Sequence, residues 1–259
     1  MDTRRPHDWS YDAIADVYAT DMGQSMPFDD VGWYRSLCLR ERGRVLELGC
    51  GTGRILIDLL RAGIDAIGAD RSLPMLRRLR SDAQLHALAP ALVQMDIARP
   101  SLASRFHTIL LPYSLVTYLT DPREATQAIV ALASLLEPDG CLVLDAFIPK
   151  PVTSFADFRE DYRRPHGQGV LERHKRIGAN ADGTNRIERR YRIYRVDGTL
   201  ESEFFTDETI RPCAPTDLAA LGASAGLIIE RWSHDYDASS SADGARFATV
   251  VLRAPFPRT

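Results

Sequence analysis

An apolar run leads directly into three alternating glycines over residues 45–54, VLELGCGTGR. A short apolar run of this kind is typical of a buried strand. Glycine permits a tight turn and a close approach of the backbone to a ligand at the start of the next helix. A strand that turns on glycine into a helix is the opening unit of a parallel α/β sheet, so this segment constrains both the fold and the position of a binding site.

The same alternation of apolar runs and amphipathic stretches continues along the chain. Strands are predicted over residues 44–48, 64–69, 91–95, 108–111 and 141–147, and helices over 55–61, 74–79 and 122–136. Later in the chain we predict a helix over 215–225 and two directly joined strands over 227–232 and 246–253. Two strands without an intervening helix indicate an antiparallel pair that completes the sheet.

Two further segments lie outside this pattern. Amphipathic helices are predicted ahead of the sheet over residues 9–19 and 31–40, where they would cap its ligand edge. From Gly169 to Arg211 polar and apolar residues alternate, and Asp197-Gly198 is a strong hairpin signal, so this part is predicted to be an antiparallel insertion. We therefore divide the chain into residues 1–42, 43–150, 151–211 and 212–259: a helical cap, the core, the insertion and the completion of the core.

Composition limits the classes of function. The chain has 259 residues, of which 45% are hydrophobic and 26% charged, and its net charge is −3. It offers no general attraction for nucleic acid, so a small-molecule or protein substrate is favoured. A charged N-terminus and the lack of any stretch of about 20 apolar residues predict a soluble, cytoplasmic protein without a membrane partner. The four cysteines lack metal-ligand spacing, which predicts buried or loop thiols and no metal.

Acidic residues end the second and third predicted strands. Asp70 is placed to accept from ribose hydroxyls, as acids at this position do in nucleotide-binding α/β folds. Asp96 can accept from an adenine amino group while the Ile97 amide donates to the ring. A dinucleotide fingerprint needs Gly or Ala where this chain has Arg54, so NAD is disfavoured.

These motifs together resemble the class I S-adenosylmethionine (SAM)-dependent methyltransferases of the small-molecule type, over almost the whole chain. DRSLPML is similar to the family's D-x-S-x-x-M-L, and LLEPDGCLVLDAF to its L-x-P-G-G stretch, with Asp139 where a glycine is usual. The resemblance implies a Rossmann-like α/β fold: a seven-stranded sheet with helices on both faces and the last two strands antiparallel, plus the small β insertion over the acceptor pocket. It also implies SAM as cofactor. The residues it assigns to SAM are Tyr11, Tyr18, Glu47, Gly49, Cys50, Gly51, Gly53, Asp70, Arg71, Met75, Asp96, Ile97 and Leu111. Glu47 can equally be a buried structural acid, and Tyr11 and Tyr18 can either close over the methionine end of SAM or simply pack as helix residues.

The acceptor side carries weaker signals. Methyltransferases of nucleobases or protein typically have N/D-P-P-Y/F after the fourth strand, whereas residues 111–114 here read LPYS. Tyr113 can line the methyl channel, with its ring facing the sulfonium, or can simply pack in the core. By similarity to small-molecule methyltransferases Arg211 and Tyr236 lie near the acceptor, and His166 is a candidate base, as is His174, although a histidine in a polar hairpin is more often simply exposed.

We therefore predict methyl transfer to N or O of a small metabolite, with an amine or amino sugar of secondary metabolism slightly preferred, mainly through in-line positioning. Two alternatives remain open: a non-catalytic SAM-binding protein and, less favoured, an NAD-dependent oxidoreductase. The alternating RIERRYRIYRV predicts a solvated sheet face or a homodimer contact through the insertion rather than a nucleic-acid surface.

Overall fold

The computed structural model describes residues 10–22, 28–237 and 241–255. They form two compact units. The first, which we call the hairpin unit, contains the described residues up to Met22 together with Lys150–Ile210. The second, the core unit, contains Phe28–Pro149 and the described residues from Arg211 onwards.

The core unit is built on a seven-stranded sheet. Its strands, numbered along the whole chain, are β1 Val45–Leu48, β2 Ala66–Asp70, β3 Ala91–Gln94, β4 Phe106–Leu111, β5 Leu136–Phe147, β10 Ile228–His234 and β11 Phe247–Arg253. Their order across the sheet is β10-β11-β5-β4-β1-β2-β3. β1 to β5 pair in parallel, whereas β11 pairs antiparallel with both β5 and β10. The predicted fold class, including the antiparallel last pair, is confirmed.

Among the described residues, a 3-10 turn, Leu115–Tyr118, and five α-helices accompany this sheet: α2 Asp30–Glu41, α3 Leu56–Arg61, α4 Leu73–Gln84, α5 Pro122–Ser134 and α6 Pro215–Ser224. Two of them begin at side-chain caps that the sequence indicates. The Ser72 hydroxyl accepts from the Met75 amide, and the Asp121 carboxylate accepts from the amides of Arg123 and Glu124. Such caps satisfy amides that have no partner within the helix, so these starts are fixed locally.

Alternation along β1 separates the two faces of the sheet. Leu46 and Leu48 belong to the main apolar cluster, together with Ala128 and Leu132 of α5. Glu47 points to the opposite face, because successive side chains of a strand alternate. Every residue of β1 is buried, so the carboxyl group of Glu47 lies within the protein at the base of the glycine turn.

The hairpin unit contains a four-stranded antiparallel sheet with the order β6-β7-β8-β9. Its strands are β6 Phe155–His166, β7 Gly169–Ala179, β8 Asn185–Tyr194 and β9 Leu200–Ile210. Asp197 and Gly198 lie in the turn between β8 and β9, where Gly198 has φ +81°. The predicted antiparallel insertion and its hairpin are therefore confirmed, whereas a homodimer through this sheet stays a prediction.

The prediction of a single helix over residues 9–19 is wrong. The chain forms a 3-10 turn over Ser10–Ile14 and then a short helix, α1 Tyr18–Met22. Trp9, where the predicted helix began, lies outside the described residues. Buried Ile14, Ala15 and Val17 occupy both the 3-10 turn and the residues after it, so their apolar spacing was mistaken for one continuous helix face.

β6 was not predicted as a strand. It is an edge strand, its register shifts twice, and it carries Pro165, which only an edge position readily accepts. β5 is also longer than predicted, because residues 136–140 join it. Asp139, in the family's glycine position, has φ +63°, a conformation that Asp tolerates better than most residues. Among the described residues, no helix is long and apolar enough to cross a bilayer.

Candidate functional site

The three alternating glycines turn the chain sharply after β1, as predicted. Gly49, Gly51 and Gly53 have φ values of +61°, +53° and +89°, which disfavour residues with a Cβ. A Cβ on Gly49 would lie 2.8 Å from Leu115, and one on Gly53 would lie 2.7 Å from Leu79. The loop therefore needs glycine both for its dihedral angles and for its close packing.

Asp70 ends β2 beside this loop. Its carboxylate accepts from the Gly51 amide at 2.8 Å and from the Ser72 amide at 2.7 Å. Two charge-assisted bonds of this kind hold the side chain at the strand end. Because a carboxylate offers about four lone-pair positions, these bonds are compatible with further ones to ribose hydroxyls.

Asp96 follows β3 at the same edge, since Asp70 pairs with Gln94 in the parallel register. Its carboxylate accepts from the Ala98 amide at 3.0 Å and lies 3.7 Å from the guanidinium of Arg71. Ile97 is partly buried against the main apolar cluster. The two strand-end acids and Arg71 thus occupy adjacent strand ends, as a bound adenosine would require.

Glu47 is buried, with 2% of its surface exposed. Burial raises the pKa of Glu47 to about 8, an effect that the nearby Arg54 guanidinium and a hydrogen bond from the Leu56 amide partly offset. Its Oε2 atom is buried and has no hydrogen-bond partner among the described residues. A buried carboxyl oxygen without a partner is uncommon and is satisfied when a ligand donates to it, so this atom fits the amino group of SAM.

Arg54 has a structural partner that the sequence did not indicate. Its guanidinium forms a bidentate salt bridge with the buried carboxylate of Asp30, in which the two nitrogen–oxygen distances are 2.7 and 2.6 Å. This pair ties the first turn of α2 to the end of the glycine loop, and its planar geometry orients both side chains. The same guanidinium lies 6.0 Å from the centre of the Tyr113 ring.

The remaining residues predicted to bind SAM fall into two groups. Cys50, Met75 and Leu111 are buried in the core unit. Burial raises the pKa of Cys50 well above its usual range, so this thiol is protonated at neutral pH. Tyr11 and Tyr18 belong to the hairpin unit, where their rings meet edge to face at 5.8 Å. Their role in closing over SAM stays a prediction.

A second cluster lies at the ends of β4 and β5. Tyr113 and Ser114 follow β4 with φ values of +57° and +59°, two consecutive left-handed residues other than glycine. The Ser114 amide donates to Oδ1 of Asp145 at 2.7 Å, and the Tyr113 amide also donates to this carboxylate. In return, the Ser114 hydroxyl accepts from the Phe147 amide at 2.9 Å. The turn is therefore held by β5.

Asp145 is fully buried and also accepts from two phenols. The hydroxyls of Tyr34 and Tyr236 both donate to its Oδ2, the latter at 2.6 Å. Burial raises the pKa of Asp145 to about 6, and the hydrogen bonds from Tyr236, Tyr34 and the two amides limit the rise. Because all these groups donate to it, the carboxylate is the form that the cluster stabilises above pH 6.

The other acceptor candidates lie in different places. The Arg211 guanidinium donates to the Thr120 carbonyl at 2.6 Å, and its amide donates to Thr117, so it holds the segment after β4. His166 belongs to the hairpin unit, where Nδ1 lies 2.9 Å from the Thr20 hydroxyl. His174, in the same unit, lies 3.3 Å from Glu172. Their catalytic roles stay predictions.

Sequence reasoning missed Asp30, Tyr34 and Asp145. The signal for Asp145 was present, because one acid interrupts the apolar run CLVLDAF and a buried acid in a strand requires partners. For Tyr34 and Asp30 no local signal exists, since both lie in an ordinary amphipathic helix.

The site has two parts. We call residues 47–54, 70 and 96 the glycine edge, and Tyr34, Tyr113, Ser114, Asp145 and Tyr236 the aromatic edge.

Known proteins match this architecture. Residues 45–140 match the model of a family described as a methyltransferase domain. The chain is 28% identical over 159 residues to the putative methyltransferase YqeM of Bacillus subtilis, covering 58% of this chain and 63% of the relative. It is 31% identical over 108 residues to dTDP-3-amino-3,4,6-trideoxy-alpha-D-glucopyranose N,N-dimethyltransferase of Streptomyces venezuelae, covering 40% of this chain and 43% of that relative. The chain thus spans about half the length of the curated relatives it matches.

Among solved structures, an S-adenosylmethionine-dependent methyltransferase from Clostridium acetobutylicum superposes with a TM-score of 0.77 at 15% identity, covering 94% of this chain and 98% of that one. At this identity the likeness concerns the fold. The family match adds the domain that contains the glycine turn, Asp70 and Asp96. Residues 45–140 of the chain therefore form a methyltransferase domain, and the described residues have the fold of an S-adenosylmethionine-dependent methyltransferase.

Proposed function

We propose that this protein transfers the methyl group of SAM to a nitrogen or oxygen of a small metabolite, with an amine preferred. SAM supplies an electrophilic methyl group carried by a sulfonium. In this proposal the glycine edge holds the donor: the glycine loop and Glu47 take its methionine part, Asp70 its ribose and Asp96 its adenine. Tyr113 and the rest of the aromatic edge then lie on the side where an acceptor enters.

One observation carries the preference for an amine: Asp145, the acid of the aromatic edge, already accepts hydrogen bonds from the protein itself. Asp145 accepts hydrogen bonds from two phenols and two backbone amides, so it is poorly suited to remove a proton from an acceptor. A general base is required mainly when the acceptor arrives protonated and is not itself nucleophilic, as an alcohol does. A neutral amine has its own lone pair and needs chiefly correct placement.

The residues around Tyr113 are held rigidly enough to place a donor and an acceptor. The Arg54–Asp30 pair and the hydrogen bonds to Asp145 fix the residues around Tyr113, so a donor and an acceptor would meet between rigid walls. Holding two reactants in line is worth effective molarities of about 10⁵ M or more. The relative from Streptomyces venezuelae, named as an amino-sugar N,N-dimethyltransferase, supports an amino group on a sugar as one candidate acceptor.

The test is transfer of label from methyl-labelled SAM to a panel of acceptors. The panel contains a dTDP-linked amino sugar, the same sugar with a hydroxyl in place of the amine, a small amino acid and a total transfer-RNA fraction. We expect labelled product with the amine and little with its hydroxyl analogue. Label found only in the RNA fraction would contradict the small-molecule acceptor.

The same assay is run on the test variant Asp70→Ala and on its matched control, Asp65→Ala. Asp65 is an exposed acid of the same unit that pairs with Arg44 at the surface. Transfer should be lost in the first variant and kept in the second if Asp70 holds the donor. A protein that binds SAM but labels nothing in a broad metabolite extract would favour the non-catalytic SAM-binding alternative.

A further inference from the structure

The aromatic edge contains two turns with the same unusual backbone. Tyr113 and Ser114 are consecutive left-handed residues after β4, and Asp235 and Tyr236 are consecutive left-handed residues after β10, with φ values of +50° and +57°. Residues with a Cβ rarely adopt this region, and two in succession persist only where surrounding contacts hold them. Strain of this kind clusters at functional sites.

One carboxylate connects the two turns. Asp145 accepts from the backbone amides of Tyr113 and Ser114 in the first turn and from the phenol of Tyr236 in the second. Tyr34 of α2 donates to the same oxygen as Tyr236. Three separate segments of the chain thus converge on a single buried side chain at the carboxyl end of β5.

Aromatic rings keep this carboxylate away from water. Tyr236 stacks on Phe247 at 5.1 Å and meets Trp33 edge to face at 5.7 Å. On the other side of the turn the Tyr113 ring packs edge to face on Phe147, at 5.8 Å. Hydrogen bonds to a charge in such surroundings are strong and directional, so the backbone of the Tyr113 turn has little freedom.

We propose that Asp145 is a positioning residue that fixes the Tyr113 ring against the sulfonium of the donor. The inference rests on the proposed donor site and extends it to a residue that touches neither donor nor acceptor. Asp145 acts through the amides of the turn, while Tyr34 and Tyr236 orient its carboxylate. A ring held over a cation favours the charged sulfonium of SAM over the neutral thioether of its demethylated product, S-adenosylhomocysteine (SAH).

The test compares the affinities for SAM and SAH, each measured by titration calorimetry without an acceptor. In Asp145→Asn we expect the SAM-to-SAH affinity ratio to fall about fivefold, the size of a cation–π contact of about 1 kcal/mol. Affinity for SAH should change less than twofold. Tyr113→Leu should lower the ratio by a similar factor, and Asp145→Asn should have no further effect in that background.

Thr249→Val is the matched control. Thr249 lies directly opposite Asp145 across the β5–β11 pair, and its buried hydroxyl has no partner among the described residues. The ratio should stay at its wild-type value in this variant. An equal loss of affinity for both ligands in Asp145→Asn would show a merely structural role and overturn the proposal, as would an effect of Asp145→Asn that persists in the Tyr113→Leu background.

Single-hydroxyl variants keep the test decisive where Asp145→Asn does not fold. Tyr34→Phe and Tyr236→Phe each remove one hydrogen bond to Asp145 and keep the ring, so we expect the ratio to fall about twofold in each. An unchanged ratio in both would overturn the proposal. Because no acceptor is present, the result does not depend on the substrate class, whereas a wild-type protein that binds neither ligand would overturn the donor site itself.

Discussion

The glycine edge and the aromatic edge use their acidic residues in opposite ways. At the glycine edge, Asp70 and Asp96 accept mainly from nearby backbone amides and remain partly exposed, while Glu47 keeps a buried oxygen without a partner among the described residues. At the aromatic edge, Asp145 is completely buried and accepts from two phenols and two amides. The first edge is the one that we propose receives a ligand, whereas the second holds its own backbone.

In the proposed function, this difference lets one sheet support both recognition of the donor and positioning of the reacting groups. A ligand with many hydrogen-bond donors requires acceptors that are held in place but still reachable, which local amide bonds achieve. A reacting centre requires walls that do not move, which a buried charge with several donors achieves. The four predictions that follow test this contrast.

The largest effect is expected at Glu47, in the absence of any ligand. The pKa of Glu47 is about 8 in the folded protein and near 4.5 in an unfolded chain, so between these values the folded state binds the extra proton. The stability of the wild type should therefore fall as pH rises through this window and level off above 8. Glu47→Gln lacks this group, so its stability relative to wild type should rise with pH, by up to about 5 kcal/mol.

Chemical denaturation at several pH values between 5 and 8.5 measures this effect. Asp65→Asn, in which an exposed acid of the same unit is replaced, serves as the control and should not reproduce the rise. A constant difference between Glu47→Gln and wild type would contradict a neutral, buried Glu47.

Gly49→Ala tests whether the glycine edge depends on the segment after β4. The new Cβ would have to adopt φ +61° and would lie 2.8 Å from Leu115, so both strain and overpacking act. We expect a loss of about 3 kcal/mol in the free energy of unfolding. Gly63→Ala is the control, because Gly63 has φ +76° but nothing lies within 4 Å of its added Cβ. Equal losses in the two variants would show that the contact with Leu115 does not matter.

Asp70→Ala should weaken SAM binding by about 2 kcal/mol, because it removes the charge-assisted hydrogen bonds that we propose to the ribose and the one from the Gly51 amide. Titration calorimetry gives the change, and Asp65→Ala should bind SAM as the wild type does. Unchanged affinity in Asp70→Ala would remove the ribose role and, with it, the contrast between the two edges.

The smallest effect is expected beside the aromatic edge, at Thr249, which lies opposite Asp145 in the sheet. Thr249→Val removes a buried hydroxyl that has no partner among the described residues and leaves the hydrogen bonds of Asp145 intact. The free energy of unfolding should rise by about 1 kcal/mol, since an unsatisfied polar group is lost. A thermal unfolding scan measures it, and a clear destabilisation would indicate that Thr249 supports the carboxylate after all.

Much of the fold was predictable because its signals are local. β1 and the glycine turn lie in one short segment, and the caps Ser72 and Asp121 are read from neighbouring residues. The hairpin at Asp197-Gly198 is a two-residue signal. The failures occurred where local signals mislead: β6 is an irregular edge strand with a proline, and the turn and short helix that end at Met22 share the spacing of one helix.

The candidate site likewise contains residues that the sequence predicts and residues that only the tertiary structure brings together. The sequence by itself determined the glycine bend and the strand-end acids, because parallel strands bring their carboxyl ends to one edge whatever else the chain does. Only the tertiary structure decided that Asp145 would be bound by Tyr34 and Tyr236, which are 111 and 91 residues away. Partners so distant depend on how separate segments pack, and no pattern within a single helix or strand specifies that.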